Sequence, residues 1–230
     1  MTSEATTGIR GAVNDPERHD SGHKHVTGLA EYIDDMAEPA GTLHAYLGLA
    51  EIACGEVLSL DLSDVRAQPG VVGTLTAEDI PGHNDVSPTG KHDDPVFATD
   101  IEFHGQPIFA VIAETREAAR RATTKARVEY STRPHVTDVA EADARGYPLV
   151  TEPLKLERGN VKEGFANSKN RITGKVRVGG QEHFYLEGHI ALAIPGEDDE
   201  VTLFAGTQHP SEVQHMVAHV LGVPSNAVTV

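Results

Sequence analysis

An α+β fold laid out in two consecutive regions is what the 230 residues predict. Three observations carry it. Short strand patterns separated by turn residues recur between Thr42 and Tyr130, as half-buried sheets require. A continuous apolar run, Ile108–Ala113, leads straight into a helical pattern of small residues. Near the end, an amphipathic helix lies between two further strand patterns.

The elements follow in chain order. Met1 to about Gly22 is polar, without apolar periodicity, and reads as a flexible tail. His19, His23 and His25 close it; no carboxylate or cysteine stands at a spacing that would complete a metal site, so a polar segment is favoured over a metal tract. Leu43, Ala45, Leu47 and Leu49 alternate with His44, Tyr46 and Gly48 as a half-buried strand. Asp61–Gln68 forms a helical turn stopped by Pro69-Gly70, and Val71–Leu75 is the next strand. Thr76 with Asp79 resembles a capping box. Pro81–Asp94, rich in Gly, Asn, Ser, Pro and Asp, is a long loop. Ile108–Ala113 reads as a strand buried on both faces. Arg116–Arg127 places Ala118, Ala122 and Ala126 on one helical stripe, and Val128–Tyr130 follows as a strand. From Arg133-Pro134 to about Lys155 the chain is acidic and weakly patterned, a passage between regions.

The second region opens near Arg171. Ile172, Gly174, Val176 and Val178 alternate as a strand, Ile190, Leu192 and Ile194 as another, and Val201–Ala205 as a third. Val213, Met216, Val217, Val220 and Leu221 then mark an amphipathic helix, with Pro210 in its first turn and Gly222 and Pro224 at its exit. Ala227–Val230 starts a strand that stops abruptly, the expected beginning of a parallel unit in a truncated chain.

Composition removes several function classes. Apolar residues at 39% permit a buried core. Nineteen basic against thirty-five acidic residues leave a net charge of −16, which repels phosphate backbones and argues against nucleic acid as a partner. No apolar run approaches the roughly 20 residues that span a bilayer, so no membrane association is expected. Cys54 is the single cysteine. It excludes an intrachain disulfide framework, a zinc ribbon and a Cys-ligated iron–sulfur cluster held by this chain alone, and it fits a cytoplasmic location.

Motif searches discard more. There is no Gly-x-Ser-x-Gly elbow and no Gly-x-Gly-x-x-Gly after a strand; Gly90-Lys91-His92 with Asp85 upstream cannot form a P-loop. His215 and His219 share a helix face at a chelating spacing, but Met216 stands where a metalloprotease helix has glutamate. Gly179-Gly180-Gln181-Glu182-His183-Phe184-Tyr185-Leu186-Glu187 is different. Two glycines permit close approach of backbone to another group, and an amide, carboxylates, an imidazole and aromatics follow within seven residues. On the residues alone it is either a site or an ordinary strand end.

The string Val178–Glu187 closely resembles the start of the molybdenum-binding domain of xanthine dehydrogenases and aldehyde oxidases. Tyr32-Ile33-Asp34-Asp35, Leu43-His44-Ala45, Pro69-Gly70-Val71-Val72, Asp79–Asn84, Asp94–Ala98, His104–Pro107, Gly159–Phe165, Thr207-Gln208 and Leu221–Pro224 extend the resemblance in order from about residue 25 to 230. It implies an α/β hammerhead domain at 23–133, a connecting segment at 134–170 and the incomplete start of a molybdopterin-binding α+β domain at 171–230, after the tail at 1–22. Within it, Gln181 is the one residue expected to bind the cofactor, hydrogen-bonding an oxygen on molybdenum without itself ligating the metal. No catalytic residue is expected in this stretch, because the family's base glutamate lies downstream. Cys54 departs from the family pattern by replacing a histidine, and reads as a small buried or semi-buried substitution rather than a redox thiol.

The resemblance further implies a xanthine dehydrogenase-like molybdenum hydroxylase. It would oxidise hypoxanthine and xanthine to urate, with electrons leaving through Fe–S clusters and FAD to NAD. Those groups would sit on a partner subunit, in an oligomer of heterodimers, and the 230 residues alone would be inactive. An aldehyde oxidase-like hydroxylase and a non-catalytic docking piece are the alternatives.

Overall fold

Where apolar side chains run without a polar break, a strand must be covered on both faces, and Pro107–Ala113 is the strand around which the chain is built. The computed structural model describes residues 16, 18–88, 90 and 92–230, so most of the expected tail lies outside the described residues. Two compact units are present: Leu43–Leu186, and the described residues up to Thr42 together with Glu187–Val230.

Helix α1 (Gly22–Thr27) precedes the first unit. That unit holds β1 (His44–Leu49), β2 (Gly55–Asp61), α2 (Ser63–Arg66), β3 (Val71–Leu75), β4 (Asp100–Ile101), β5 (Pro107–Ala113), α3 (Arg116–Thr123), β6 (Arg127–Thr132), α4 (Val139–Ala144) and α5 (Val161–Asn167). One antiparallel sheet has the order β1-β5-β3, a second the order β4-β2-β6. Val111, Ala113, Ile101, Val65, Ala119 and Ala122 are fully buried and form the centre of the core. Alanines let α3 lie close to β1 and β5. Thr115 caps that helix by accepting the Ala118 N–H at 3.1 Å, and Asp138 and Asn160 cap α4 and α5 in the same way. Arg127 bridges Asp61 and Asp64 at 2.7 and 2.8 Å. The Asp61 carboxyl is held well below the usual carboxylate range, first by hydrogen bonds from Ser63 and then by Arg127.

Several sequence expectations need correction. The β1 alternation is present, but its leucine side faces outward: Leu43, Leu47 and Leu49 are 47–49% exposed while Gly48 is buried. Alternation identifies a strand, not which face the core takes, and here the Phe109 ring fills the space beside Gly48. β2, which pairs along its length with β6, has no place among the sequence-derived elements. Helix α3 ends at Thr123 rather than Arg127, with Ala119 and Ala122 as its buried residues, because Arg127 already pairs with Asp61 in the second sheet. β5 and β6 therefore flank α3 but belong to different sheets.

The second unit contains β7 (Ala191–Pro195), β8 (Val201–Ala205), α6 (Pro210–Leu221) and β9 (Val228–Thr229). β7 and β8 pair antiparallel; β8 and β9 pair parallel across α6, as the terminal strand–helix–strand pattern predicts. Pro210 occupies the first turn of α6, and Gly222 ends it in the left-handed conformation at φ 71°. Gln214 reaches from the helix to donate to the Val228 carbonyl at 2.6 Å, fixing α6 against β9.

Candidate functional site

Residues 171–185 form neither helix nor strand. The strand expected at Ile172–Val178 is thus absent, and Ile172 and Val176 are 98% and 85% exposed. A strand exists through its ladder, and none of the strands among the described residues pairs with this segment, so its alternation has no face to bury. Gly179 and Gly180 accordingly do not end a strand; a Cβ on either would meet no atom within 4 Å.

Gln181 follows as an exposed residue, and its amide enters none of the hydrogen bonds among the described residues. Glu182 accepts the His183 backbone N–H at 3.0 Å. The His183 and Tyr185 rings stack, with centroids 5.2 Å apart and planes 5° from parallel. Between them Phe184 adopts φ 56°, uncommon for a residue with a side chain. The boundary between the compact units falls immediately after Leu186. Glu187, on the far side, accepts the Ile33 N–H through Oε1 at 3.1 Å in a partly buried setting.

Donor chemistry is the test of whether these residues fit a molybdenum–pterin group. A neutral carboxamide donates to an oxygen acceptor without adding charge, and the open space at Gly179 and Gly180 leaves their backbone approachable. The segment fits one contact to such a group, through Gln181. It does not supply a complete holding set.

His215 Nδ1 lies 3.0 Å from Ser225 Oγ, and His25 contacts the Tyr32 hydroxyl at 3.4 Å. Among the described residues no group of three or more His, Cys, Asp or Glu could hold a metal ion. Cys54 is half-buried in the wall of an open cavity of about 680 Å³, with Thr132, Arg133 and His135. Asp100 first, then the Cys54 thiol, hold the Arg133 guanidinium above its ordinary value. In the loop after Pro81, Asp85 Oδ1 accepts from Ser87 N and Oγ at 3.0 and 2.5 Å, and Oδ2 meets His92 Nδ1 at 2.7 Å. A serine, a histidine and an aspartate do meet here, but the serine bonds the aspartate and not the imidazole, so no nucleophile is activated. The sequence places Glu187 only among the carboxylates of the 179–187 segment, with no contact of its own. Its partner lies 154 positions away, and no local signal could have named it.

Residues 27–134 match the family model described as aldehyde oxidase and xanthine dehydrogenase, a/b hammerhead domain, and residues 145–230 match the molybdopterin cofactor-binding domain. A xanthine dehydrogenase of Drosophila pseudoobscura pseudoobscura is 39% identical over 216 residues, 93% of this chain and 16% of that protein. Aldehyde oxidase 2 of Rattus norvegicus is 39% identical over 223 residues, 96% of this chain and 16% of that protein. Among solved structures, the aldehyde oxidoreductase of Desulfovibrio gigas aligns with a TM-score of 0.78 at 23% identity, over 91% of this chain and 25% of its own. Quinoline 2-oxidoreductase of Pseudomonas putida 86 aligns at 0.74 with 24% identity, over 91% and 28%. These two likenesses speak for the fold. The chain spans about one sixth of the length of the curated relatives it matches.

Proposed function

The chain belongs to the family of aldehyde oxidases and xanthine dehydrogenases, and from that we propose that it forms part of the molybdopterin-binding portion of a molybdenum hydroxylase acting on purines. The observation that carries the reading is the succession, in one chain, of a hammerhead match and a molybdopterin cofactor-binding match. The domain reading is a tail at 1–22, a hammerhead domain at 23–133, a connecting segment at 134–170 and a cofactor-binding portion at 171–230.

In this reading Gln181 is the residue of this chain that holds the cofactor, donating its amide N–H to an oxygen acceptor. When bound, the molybdenum group supplies the two-electron oxidation chemistry of hydroxylation. The contribution of the protein is orientation: a neutral donor fixes the cofactor without offsetting its charge, and the flanking glycines let the backbone come close. A partner subunit would hold the Fe–S clusters, FAD and NAD that accept the electrons, in a cytoplasmic enzyme. An aldehyde oxidase-like activity is the second reading, favoured by the equal 39% identity to the rat protein.

Two measurements test this. Assaying the complete parent protein with hypoxanthine, xanthine and simple aldehydes decides the substrate; turnover of aldehydes alone overturns the purine reading. Gln181→Ala in the same protein should lower turnover by roughly tenfold to a hundredfold, below the cost of losing an oxyanion donor because the contact is made before the transition state too. Turnover and molybdenum content both within about twofold of wild type would remove Gln181 from the site.

A further inference from the structure

The segment Tyr32–Met36 closes most of its own hydrogen bonds. Asp35 Oδ2 accepts the Tyr32 N–H at 3.0 Å, the Asp35 N–H reaches the Tyr32 carbonyl at 3.0 Å, and the Met36 N–H reaches the Ile33 carbonyl at 3.1 Å. The N–H of Ile33, first residue of that turn, is met from outside it. Its acceptor is Glu187 Oε1 at 3.1 Å, in a partly buried setting. The other carboxylate oxygen lies against Gly206: a Cβ there would stand 3.1 Å from Oε2. Glycine at 206 therefore leaves the carboxylate its room. Tyr32, Ile33, Met36, Glu187, Phe204 and Gly206 share the wall of one cavity of about 280 Å³.

We propose that the Glu187 carboxylate ties the Tyr32–Met36 turn into the unit that carries β7, β8 and β9. The tie joins two stretches that the family matches assign to different domains. Ile33 falls within the hammerhead match at 27–134, and Glu187 within the cofactor-binding match at 145–230. Packing groups them together, since the residues up to Thr42 belong to one compact unit with Glu187–Val230. A partly buried amide left without an acceptor is costly, and a carboxylate is a strong one. The inference needs no bound cofactor and stands apart from the role proposed for Gln181.

Amide hydrogen exchange on the 230-residue chain tests it. Glu187→Ala should speed exchange at Met36 roughly tenfold or more, while Glu187→Gln, which keeps an acceptor oxygen, stays within about twofold. Ile33→Pro deletes the donor instead. Proline suits the first position of a turn, and Tyr32 before it is already extended at φ −100° and ψ 172°. It should reproduce Glu187→Ala, and the two together should do no more than either alone. Exchange in β5, in the other unit, should not change. Unaltered exchange in Glu187→Ala, equal loss in Glu187→Gln, additive effects or a matching loss in β5 would each overturn the tie.

Discussion

Replacing Gly48 by alanine puts a methyl group where the Phe109 ring already lies. The added Cβ would stand 2.0 Å from Cε1, 2.1 Å from Cζ and 2.5 Å from Cδ1 of that ring. Carbon atoms rest about 3.5–4.0 Å apart, so the ring must retreat by about 1.5 Å. Phe109 is 2% exposed, on the central strand of its sheet, and its neighbours in the core are themselves buried. Forcing carbon into such a site costs about 1–3 kcal/mol, and the full overlap with a ring places this case near 3. Against that, alanine restricts the unfolded chain more than glycine does, which returns about 0.5–1 kcal/mol. Overpacking wins by about 2 kcal/mol. At about 2–4 °C per kcal/mol for a chain of this size, Tm should fall by about 4–8 °C. Circular dichroism melts and urea titrations read the change. Phe109→Leu in the same background should recover part of it, so the double variant is at least about 1 kcal/mol more stable than the two single effects predict. A Gly48→Ala protein within about 0.5 kcal/mol of wild type, or simple additivity with Phe109→Leu, would refute the account of how this core closes.

Acid sensitivity of the loop after Pro81 follows from Asp85. Hydrogen bonds from Ser87, with His92 a smaller contributor, lower its carboxyl from 3.8 to about 2. A lowered carboxyl contributes stability that is complete above its ordinary value and is lost as the pH falls through about 2. NMR titration should find Asp85 near that value, and Ser87→Ala, which removes the hydroxyl but keeps the backbone N–H, should raise it part of the way toward 3.8; an unchanged midpoint would show that the Ser87 hydroxyl is not the cause. At α3, Thr115→Ala should cost about 1 kcal/mol in urea unfolding by leaving the Ala118 N–H uncapped, and Thr115→Ser should restore nearly all of it.

Sequence alone determined the elements whose signals are local. The unbroken apolar run Ile108–Ala113 demanded cover on both faces and became the central strand. The Thr76–Asp79 turn is held as its spacing implies, with the Asp79 carboxylate accepting from Thr76 N and Oγ1 at 2.8 Å each. Pro210, Gly222 and the apolar stripe between them delimited α6, because capping chemistry acts within a turn. Family membership was legible too, carried by short motifs in fixed order. Tertiary structure decided what depends on partners distant in the chain. Ile172–Val178 alternates as well as β1 does, yet among the described residues β1 has a strand to pair with and Ile172–Val178 has none. The leucines of β1 turned outward because Gly48, not they, makes room for Phe109. Glu187 acquired its role from an amide 154 residues away. Periodicity and capping are written within a few residues, whereas the choice of a buried face or of a hydrogen-bond acceptor is made by whatever the folded chain brings alongside.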